Sequence, residues 1–304
     1  MSPSRFVMEP DPPFSLAAAA SFGFGPNTGR PKPDALGMRL AFVVDGYTEQ
    51  AGVLLRQRPD GAIEAIVEGT STLGAVERQV RRVLSLDHPG AGWVAVGKRD
   101  PVIARLQKDH PGLRPVLFHS PYEAAAWSVI SHRRGRAQAT PLRARLVAAL
   151  GRTFELSGEQ LGAFPLPEKL ATLTEFPGFE SQRVERLRGI ARAALDGTLD
   201  ADRLAAMSPQ EARAELETLP GIGPFYADLV LVRATGLADV LPRDEPRVLG
   251  YAGHFYGLRG PATSAQLGQI AEKWKPYRTW GVVLLRVAGD RAGLPFEERA
   301  RMRR

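Results

Sequence analysis

The chain contains no cysteine, and this absence excludes disulfide bonds, zinc–thiolate sites, iron–sulfur clusters and a cysteine nucleophile. Histidine is also scarce: there are 5, at positions 88, 110, 119, 132 and 254, with no spacing typical of a metal site. No apolar run approaches the roughly 20 residues of a membrane-spanning helix, and the N-terminus lacks the basic start and apolar core of a signal peptide. We therefore expect a soluble cytoplasmic protein without membrane contact.

The length of 304 residues, with 44% hydrophobic and 24% charged residues, indicates a globular protein of about two domains. In the first part, the runs 53–57 and 62–67 flank Pro59-Asp60-Gly61, which is typical of a β-hairpin. Apolar residues over 72–84 have helical spacing. From about residue 116, helix follows helix with Gly and Pro between them. The predicted fold is α+β, with an N-terminal α+β domain over 1–115 and an all-α domain over 116–304.

Positive charge exceeds negative charge, with 40 Lys and Arg against 33 Asp and Glu, and the excess is unevenly distributed. Between Ala124 and Phe154 the chain carries six arginines and no acidic residue. Such a basic stripe is a candidate surface for nucleic-acid phosphates. The candidates in this region are Arg133, Arg134, Arg143 and Arg145. The alternative is an ordinary solvated helix face.

A glycine-rich segment, Leu219–Ala227, separates two predicted helices. Gly221 and Gly223 permit backbone angles that other residues avoid, and they let a phosphate approach closely. Amides at the start of the second helix would then point at the phosphate, and the helix dipole favours its negative charge. The predicted DNA contacts here are Gly221, Ile222, Gly223 and Ala227; the alternative is a plain turn. Because a third glycine and a preceding strand are missing, we predict no dinucleotide site and no organic cofactor.

The hairpin and Pro242-Arg243-Asp244, about twenty residues later, together resemble the helix–hairpin–helix DNA glycosylase superfamily. Three further segments resemble its DNA-3-methyladenine glycosylase II branch: Ser120-Pro121-Tyr122-Glu123, Arg186–Ala191 and Trp274–Arg278. The resemblance implies an N-terminal domain like half of a TATA-binding protein, followed by a helical glycosylase domain. It also implies a monomer that acts on damaged bases in double-stranded DNA and is associated with the nucleoid.

The resemblance makes Asp244 the catalytic residue. Cleavage of an N-glycosidic bond passes through an oxocarbenium-like sugar, which a nearby carboxylate stabilises, and the same carboxylate can orient the attacking water. The alternative reading of Asp244 is that it merely caps the helix that follows.

Phe225 stands where glycosylases with lyase activity carry a lysine. Since phenylalanine cannot form a Schiff base, the resemblance implies a monofunctional enzyme. An aromatic ring here can stack on the extruded base, and its face favours a cationic alkylated purine. Trp127, Tyr226 and Trp280 are further pocket candidates. For all four residues the alternative is a place in the hydrophobic core.

The segment Ser131-His132-Arg133-Arg134 departs from the Gly-Gln-Gln or Gly-Gln-Leu sequence usual in the family. Arg133 aligns with the residue that fills the gap left by the flipped base, and His132 and Arg134 are expected to contact DNA beside it. For His132 the alternative reading is that it is the general acid for the departing base. The resemblance also places a monovalent cation on the backbone carbonyls of Glu217, Leu219 and Ile222.

Together these observations predict a monofunctional DNA glycosylase of base-excision repair that removes alkylated purines of the 3-methyladenine type by base flipping. Two alternatives stay open. One is a glycosylase for another damaged base on the same scaffold, and the other is a non-catalytic DNA-binding member of the family.

Overall fold

The computed structural model of the protein describes residues 4–22, 37–242 and 245–295. Within these ranges the strands are β1 (Ser4–Met8), β2 (Met38–Val43), β3 (Gln50–Gln57), β4 (Ile63–Glu68), β5 (Arg152–Leu156) and β6 (Glu159–Ala163). The first helices are α1 (Leu16–Ala20), α2 (Leu73–Val83), α3 (Gly90–Gly97), α4 (Pro101–Asp109), α5 (Pro121–Ser131), α6 (Arg136–Leu150) and α7 (Pro167–Ala171). The later ones are α8 (Ser181–Leu195), α9 (Ala201–Ala206), α10 (Pro209–Glu217), α11 (Pro224–Ala234), α12 (Pro246–Phe255), α13 (Ser264–Ala271) and α14 (Arg278–Arg291), with a 3₁₀ turn over Glu272–Trp274.

The N-terminal part is built on an antiparallel sheet with strand order β1-β4-β3-β2. The predicted hairpin between β3 and β4 is confirmed. Its turn forms because the Asp60 carboxylate accepts the Ala62 N–H at 3.0 Å and Gly61 takes a φ of +91°. The apolar face of α2 packs against the core through Val76, Val80 and Val83, which are fully buried.

Asp100 joins this part to the C-terminal helices. One of its carboxylate oxygens caps α4, accepting the N–H groups of Val102 and Ile103 at 2.9 and 3.2 Å. The other accepts the Tyr256 hydroxyl at 2.6 Å and the Trp274 indole N–H at 3.0 Å. Four hydrogen bonds compensate this carboxylate for its burial.

The helices predicted from the sequence after residue 119 are confirmed to within a few residues. For example, the spacing predicts helices over 181–196 and 208–217, and the structure has Ser181–Leu195 and Pro209–Glu217. Two large hydrophobic cores and a small one form in the described part of the chain. One large core combines the sheet and α2 to α4 with α12 to α14, and the other lies among α5 to α11. The small one joins Ala41 of β2 to the β5–β6 hairpin. The fold class, an α+β part followed by a helical part, is confirmed, whereas the domain boundary near residue 115 stays a prediction.

The β5–β6 hairpin was missed. Ser157 and Gly158 form its turn with φ values of +53° and +80°, so the Ser-Gly pair was the available signal. The hairpin packs on the N-terminal sheet: a Cβ on Gly52 would lie 2.6 Å from Cγ of Phe154. The absence of a side chain at Gly52 therefore makes room for this contact.

Over the ranges that the structure describes, none of the helices combines the length and apolar character needed to cross a membrane.

Candidate nucleic-acid interface

The glycine-rich segment forms a tight connection between α10 and α11. Leu219 and Ile222 are buried at 9% and 4% exposure, and the Ile222 N–H donates to the Leu219 carbonyl at 3.0 Å. Helix α8 lies against the other side of the connection, where a Cβ on Gly189 would come within 2.4 Å of Cγ of Pro220. The hairpin is thus fixed both by its own apolar residues and by the close approach of α8.

The two hairpin glycines serve different purposes. Gly221 has a φ of +87°, the left-handed region that favours glycine, and a Cβ there would lie 2.9 Å from Cδ of Arg186. Gly223 is the N-cap of α11 and borders open space. Among the residues that the structure describes, the amides of Gly221 and Gly223 have no acceptor. N–H groups without a protein acceptor at a helix N-terminus suit a phosphate.

The predicted role of Ala227 needs correction. Ala227 is fully buried, and its N–H donates to the Gly223 carbonyl at 2.9 Å inside α11. The Ile222 amide is likewise engaged within the hairpin. The amides left for an anion are therefore those of the two glycines.

Aromatic side chains gather where α11 begins. The rings of Phe225 and Tyr226 lie 5.3 Å apart at an interplanar angle of 70°, and the His132 ring lies 6.0 Å from that of Tyr226. Phe225, Tyr226 and His132 are all partly exposed. Trp127 of α5 is also partly exposed and packs against the same core as Tyr226. Through His132 and Tyr226, the end of α5 and the start of α11 thus form one aromatic surface beside the hairpin.

Trp280 does not join this surface. It is 2% exposed and lies in the other core, with ring centroids 5.1 Å from Tyr277 and 5.6 Å from Trp93. The Arg114 guanidinium sits 5.4 Å from the ring. Because these neighbours enclose it, no face is left for a base, and the pocket assignment of Trp280 is corrected to a core role.

The connection between α5 and α6 lies next to the aromatic surface. Arg133 is exposed and has a φ of +55°, which is uncommon for a residue other than glycine. Helix α8 supports this connection through Arg183, which donates hydrogen bonds to the carbonyls of Val129, Ile130 and His132. Partial burial, and then the charges of Arg186, Arg133 and Arg183, lower the pKa of His132 below its ordinary 6.5.

Arg143 has a structural partner that the sequence pattern did not indicate. Its Nη2 donates to the Glu123 carboxylate at 3.0 Å, and its side chain is only 13% exposed. Glu123 is buried and also lies 3.3 Å from Nδ1 of His119. Burial raises the pKa of Glu123, but His119, Arg143 and the Val43 N–H outweigh that effect and lower it overall. Arg143 therefore neutralises a buried carboxylate, and its assignment to DNA is corrected.

Arg134 and Arg145 also have protein partners. The Nη2 of Arg134 donates to the Gly178 carbonyl at 3.2 Å, and that of Arg145 donates to the Pro177 carbonyl at 3.2 Å. Both support the loop before α8. Arg145 is nevertheless exposed, and its role in DNA binding stays a prediction.

Arg243 and Asp244 lie outside the described residues, but the chain is described up to Pro242 and again from Glu245. Glu245, not Asp244, is the N-cap of α12: its Oε2 accepts the Val248 N–H at 2.6 Å, and its Oε1 accepts from Arg286 at 3.0 Å. On the other flank, Arg213 of α10 donates to the Leu241 carbonyl at 2.9 Å. The alternative reading of Asp244 as the cap of α12 is therefore wrong.

Arg213 also connects the helix–hairpin–helix unit to this segment. Its Nε donates to the Asp228 carboxylate of α11 at 2.5 Å. One guanidinium thus joins α10, α11 and the stretch that leads to Asp244. Within the described ranges, no cluster of three or more His, Asp or Glu side chains could hold a metal ion.

The comparisons with known proteins agree with this geometry. No protein-family model matches the chain. The DNA-3-methyladenine glycosylase of Bacillus subtilis is 24% identical over 214 residues, which cover 69% of this chain and 71% of that protein. The DNA-3-methyladenine glycosylase 2 of Escherichia coli is 29% identical over 185 residues, covering 60% of this chain and 62% of that protein. A solved structure, the 3-methyladenine DNA-glycosylase from Archaeoglobus fulgidus, matches with a TM-score of 0.76 at 23% identity, covering 95% of this chain and 100% of that one.

The chain is thus similar in sequence to DNA-3-methyladenine glycosylases and shares the fold of one of them. These relatives confirm the resemblance to DNA-3-methyladenine glycosylases that the sequence motifs indicated.

Four residues that shape this surface and its surroundings were not identified from the sequence: Arg183, Arg186, Arg213 and Glu245. Arg183 and Arg186 are three positions apart on α8, a spacing that puts both on one helix face. That spacing was the only sequence signal, since their partners lie far away along the chain.

Proposed function

We propose that this chain is a monofunctional DNA glycosylase of base-excision repair, which hydrolyses the N-glycosidic bond of alkylated purines in duplex DNA. One observation carries the proposal. The amides of Gly221 and Gly223, which have no acceptor among the described residues, immediately precede the helical turn that bears Phe225 and Tyr226. A phosphate contact and an aromatic platform for a base are therefore joined in one rigid element.

DNA binding begins with the phosphate at the hairpin. The two amides and the dipole of α11 bind the backbone without reading sequence, which suits an enzyme that scans for damage. The damaged nucleotide then leaves the stack and lies against the partly exposed aromatic rings of Phe225, Tyr226 and Trp127. An electron-rich ring face attracts an alkylated purine that carries a positive charge.

Bond cleavage is assigned to Asp244 on its sequence position. Its carboxylate stabilises the developing sugar cation and orients the attacking water. Because Glu245 caps α12, helix formation does not require Asp244. Phe225 offers no amine for a Schiff base, so the product is an intact strand with an abasic site.

Two further residue assignments belong to this proposal. Arg133 fills the gap in the duplex when the base leaves, since an exposed guanidinium can stack between bases. The carbonyls of Glu217, Leu219 and Ile222 would hold a monovalent cation. The donor set fits, because the Leu219 carbonyl, which accepts one N–H, keeps a second lone pair. The cation would supply fixed positive charge beside the hairpin.

A base-release assay tests the function. Duplexes that contain 7-methylguanine, 3-methyladenine, hypoxanthine or 8-oxoguanine are incubated with the protein and with an Asp244→Asn control, and the free bases are separated by chromatography. We expect release of the alkylated purines by the unaltered protein only. Release of hypoxanthine or 8-oxoguanine alone would mean that the substrates are deaminated or oxidised bases, not alkylated purines. Tight binding without release of any base would favour the non-catalytic alternative.

A further inference from the structure

Arg133 occupies a backbone position that usually requires glycine. The Arg134 N–H donates to the Ser131 carbonyl at 3.0 Å and closes a four-residue turn. His132, the second residue, has φ −55° and ψ 123°, and Arg133, the third, has φ +55°. These values are close to a type II turn, in which the third residue is left-handed and normally glycine. The turn is therefore strained at the exposed arginine.

A type I turn would remove the strain, because its third residue has a negative φ that any side chain accepts. The two turn types differ in the direction of the central peptide, which here joins His132 to Arg133. The carbonyl of that peptide, belonging to His132, accepts a hydrogen bond from Nη2 of Arg183 at 3.3 Å. Rotation of the peptide to the type I direction would break this bond.

Arg183 is itself firmly placed. Its Nη1 donates to the Val129 and Ile130 carbonyls at 2.5 and 2.9 Å, so its guanidinium caps the end of α5. The planar fork of arginine can contact several carbonyls at once, which an ammonium cannot do with the same geometry.

We propose that Arg183 is a positioning residue: through the His132 carbonyl it selects the type II turn and thereby sets the direction in which Arg133 leaves the surface. This inference rests on the proposed function, in which Arg133 fills the duplex gap. Capping of α5 alone would not require a strained turn, whereas a fixed direction for the arginine does. Strain kept at an exposed residue is most simply explained by use of that conformation.

A double-mutant cycle on stability tests the turn without reference to activity. Free energies of unfolding in urea are compared for the unaltered protein, Arg133→Gly, Arg183→Gln and the double variant. Glycine relieves the strain only while Arg183 imposes the type II turn. The unfolded-state cost of glycine is the same in both backgrounds and cancels. We expect Arg133→Gly to change the folding equilibrium constant more favourably, by a factor of roughly five, when Arg183 is present than in the Arg183→Gln background. Additive effects would overturn the inference.

A second arm measures base flipping and excision. Fluorescence of 2-aminopurine at the target position reports unstacking, even in a duplex from which nothing is excised. We expect Arg183→Gln to reduce unstacking and to slow single-turnover release of 7-methylguanine about tenfold from a paired site, but much less from a mismatch. The combined Arg133→Ala, Arg183→Gln variant should behave like Arg133→Ala alone, because Arg183 acts through Arg133.

The matched control is Arg192→Gln, which removes one positive charge from an exposed position of the same helix. It should change neither readout. If Arg183→Gln fails to fold, Arg183→Lys can be used, because it keeps the charge and has a single donor nitrogen. An intermediate loss of the excision rate on paired sites is then expected. Equal losses of the excision rate on paired and mismatched sites would mean that Arg183 has only a structural role. If the unaltered protein releases no base, the proposed function fails, while the stability cycle and the fluorescence still test Arg183.

Discussion

Glu245 accepts the Val248 N–H at 2.6 Å and caps α12 with its own carboxylate. The other oxygen of this carboxylate pairs with Arg286 at 3.0 Å. The helix is therefore capped and paired without help from the preceding residue, and the two adjacent carboxylates of Asp244 and Glu245 can be tested separately.

Replacement of Asp244 should remove the chemistry and spare the fold. We expect Asp244→Asn to lower base release by at least about a hundredfold, since it removes the anion that faces the sugar cation. DNA binding, measured by fluorescence anisotropy, should be unchanged or tighter.

Glu245→Gln is the matched control. Its amide oxygen can still cap α12, but the ion pair is lost, so we expect a loss of about 1 kcal/mol in unfolding free energy with release retained. The reverse pattern, with base release lost only in the Glu245 variant, would mean that Glu245 and not Asp244 is the catalytic residue.

The reaction product follows from Phe225. We expect an intact strand carrying an abasic site, cut only after alkali or an endonuclease is added, because no amine at this position can attack the sugar. Gel electrophoresis before and after alkali measures this. A covalent enzyme–DNA adduct trapped by borohydride would contradict it.

Arg143 and Arg145 should behave differently despite their closeness in sequence. Arg143→Ala leaves the buried Glu123 with one cationic neighbour fewer, and we expect a loss of about 3 kcal/mol in unfolding free energy. The slope of log affinity against log salt should not change. Arg145→Ala should cost little stability and reduce that slope by about 0.9, the value for one phosphate contact.

Urea titrations and DNA binding at several salt concentrations distinguish the two arginines. If Arg143→Ala lowered the salt slope and left stability intact, Arg143 would be a DNA contact after all. An unchanged slope for Arg145→Ala would mean that Arg145 is an ordinary solvent-exposed residue and does not contact a phosphate.

Arg133 should matter most where the duplex resists opening. Lost stacking of this kind is worth roughly 1–3 kcal/mol, so Arg133→Ala should slow excision from a paired site about ten- to hundredfold, and less from a mismatch. Arg133→Leu should recover part of the loss, since an apolar wedge also holds the step open. Single-turnover rates on both substrates measure this. A uniform loss, with leucine no better than alanine, would mean that Arg133 only contacts phosphate.

His132 should make stability depend on pH. Its pKa is lower in the folded chain than the ordinary 6.5, so the folded state binds fewer protons than the unfolded state. Its contribution is complete above pH 6.5 and is lost as the pH falls below that value. As the pH falls below 6.5, the unfolding free energy of the unaltered protein should fall more steeply than that of His132→Gln. Parallel urea titrations at each pH measure this, and identical slopes would contradict it.

Local residue types were enough to predict the parts of the site that one stretch of chain forms. Gly221 and Gly223 with Pro224 specify a tight turn and a helix start, since each acts through its own backbone angles. The β5–β6 hairpin could have been found in the same way, because Ser157 and Gly158 carry a turn signal.

The hairpin, the longer helices and the phenylalanine at position 225 could be read from the amino-acid sequence, because they depend on residue types within a few positions. The contact of Arg143 with Glu123, the burial of Trp280 in a core and the contact of Arg183 with the turn bearing Arg133 depend on tertiary packing. Arg183 lies 51 positions beyond His132, the carbonyl of which it binds. The partner of a long side chain depends on how whole helices pack together, and periodicity along one helix does not specify the element it will face.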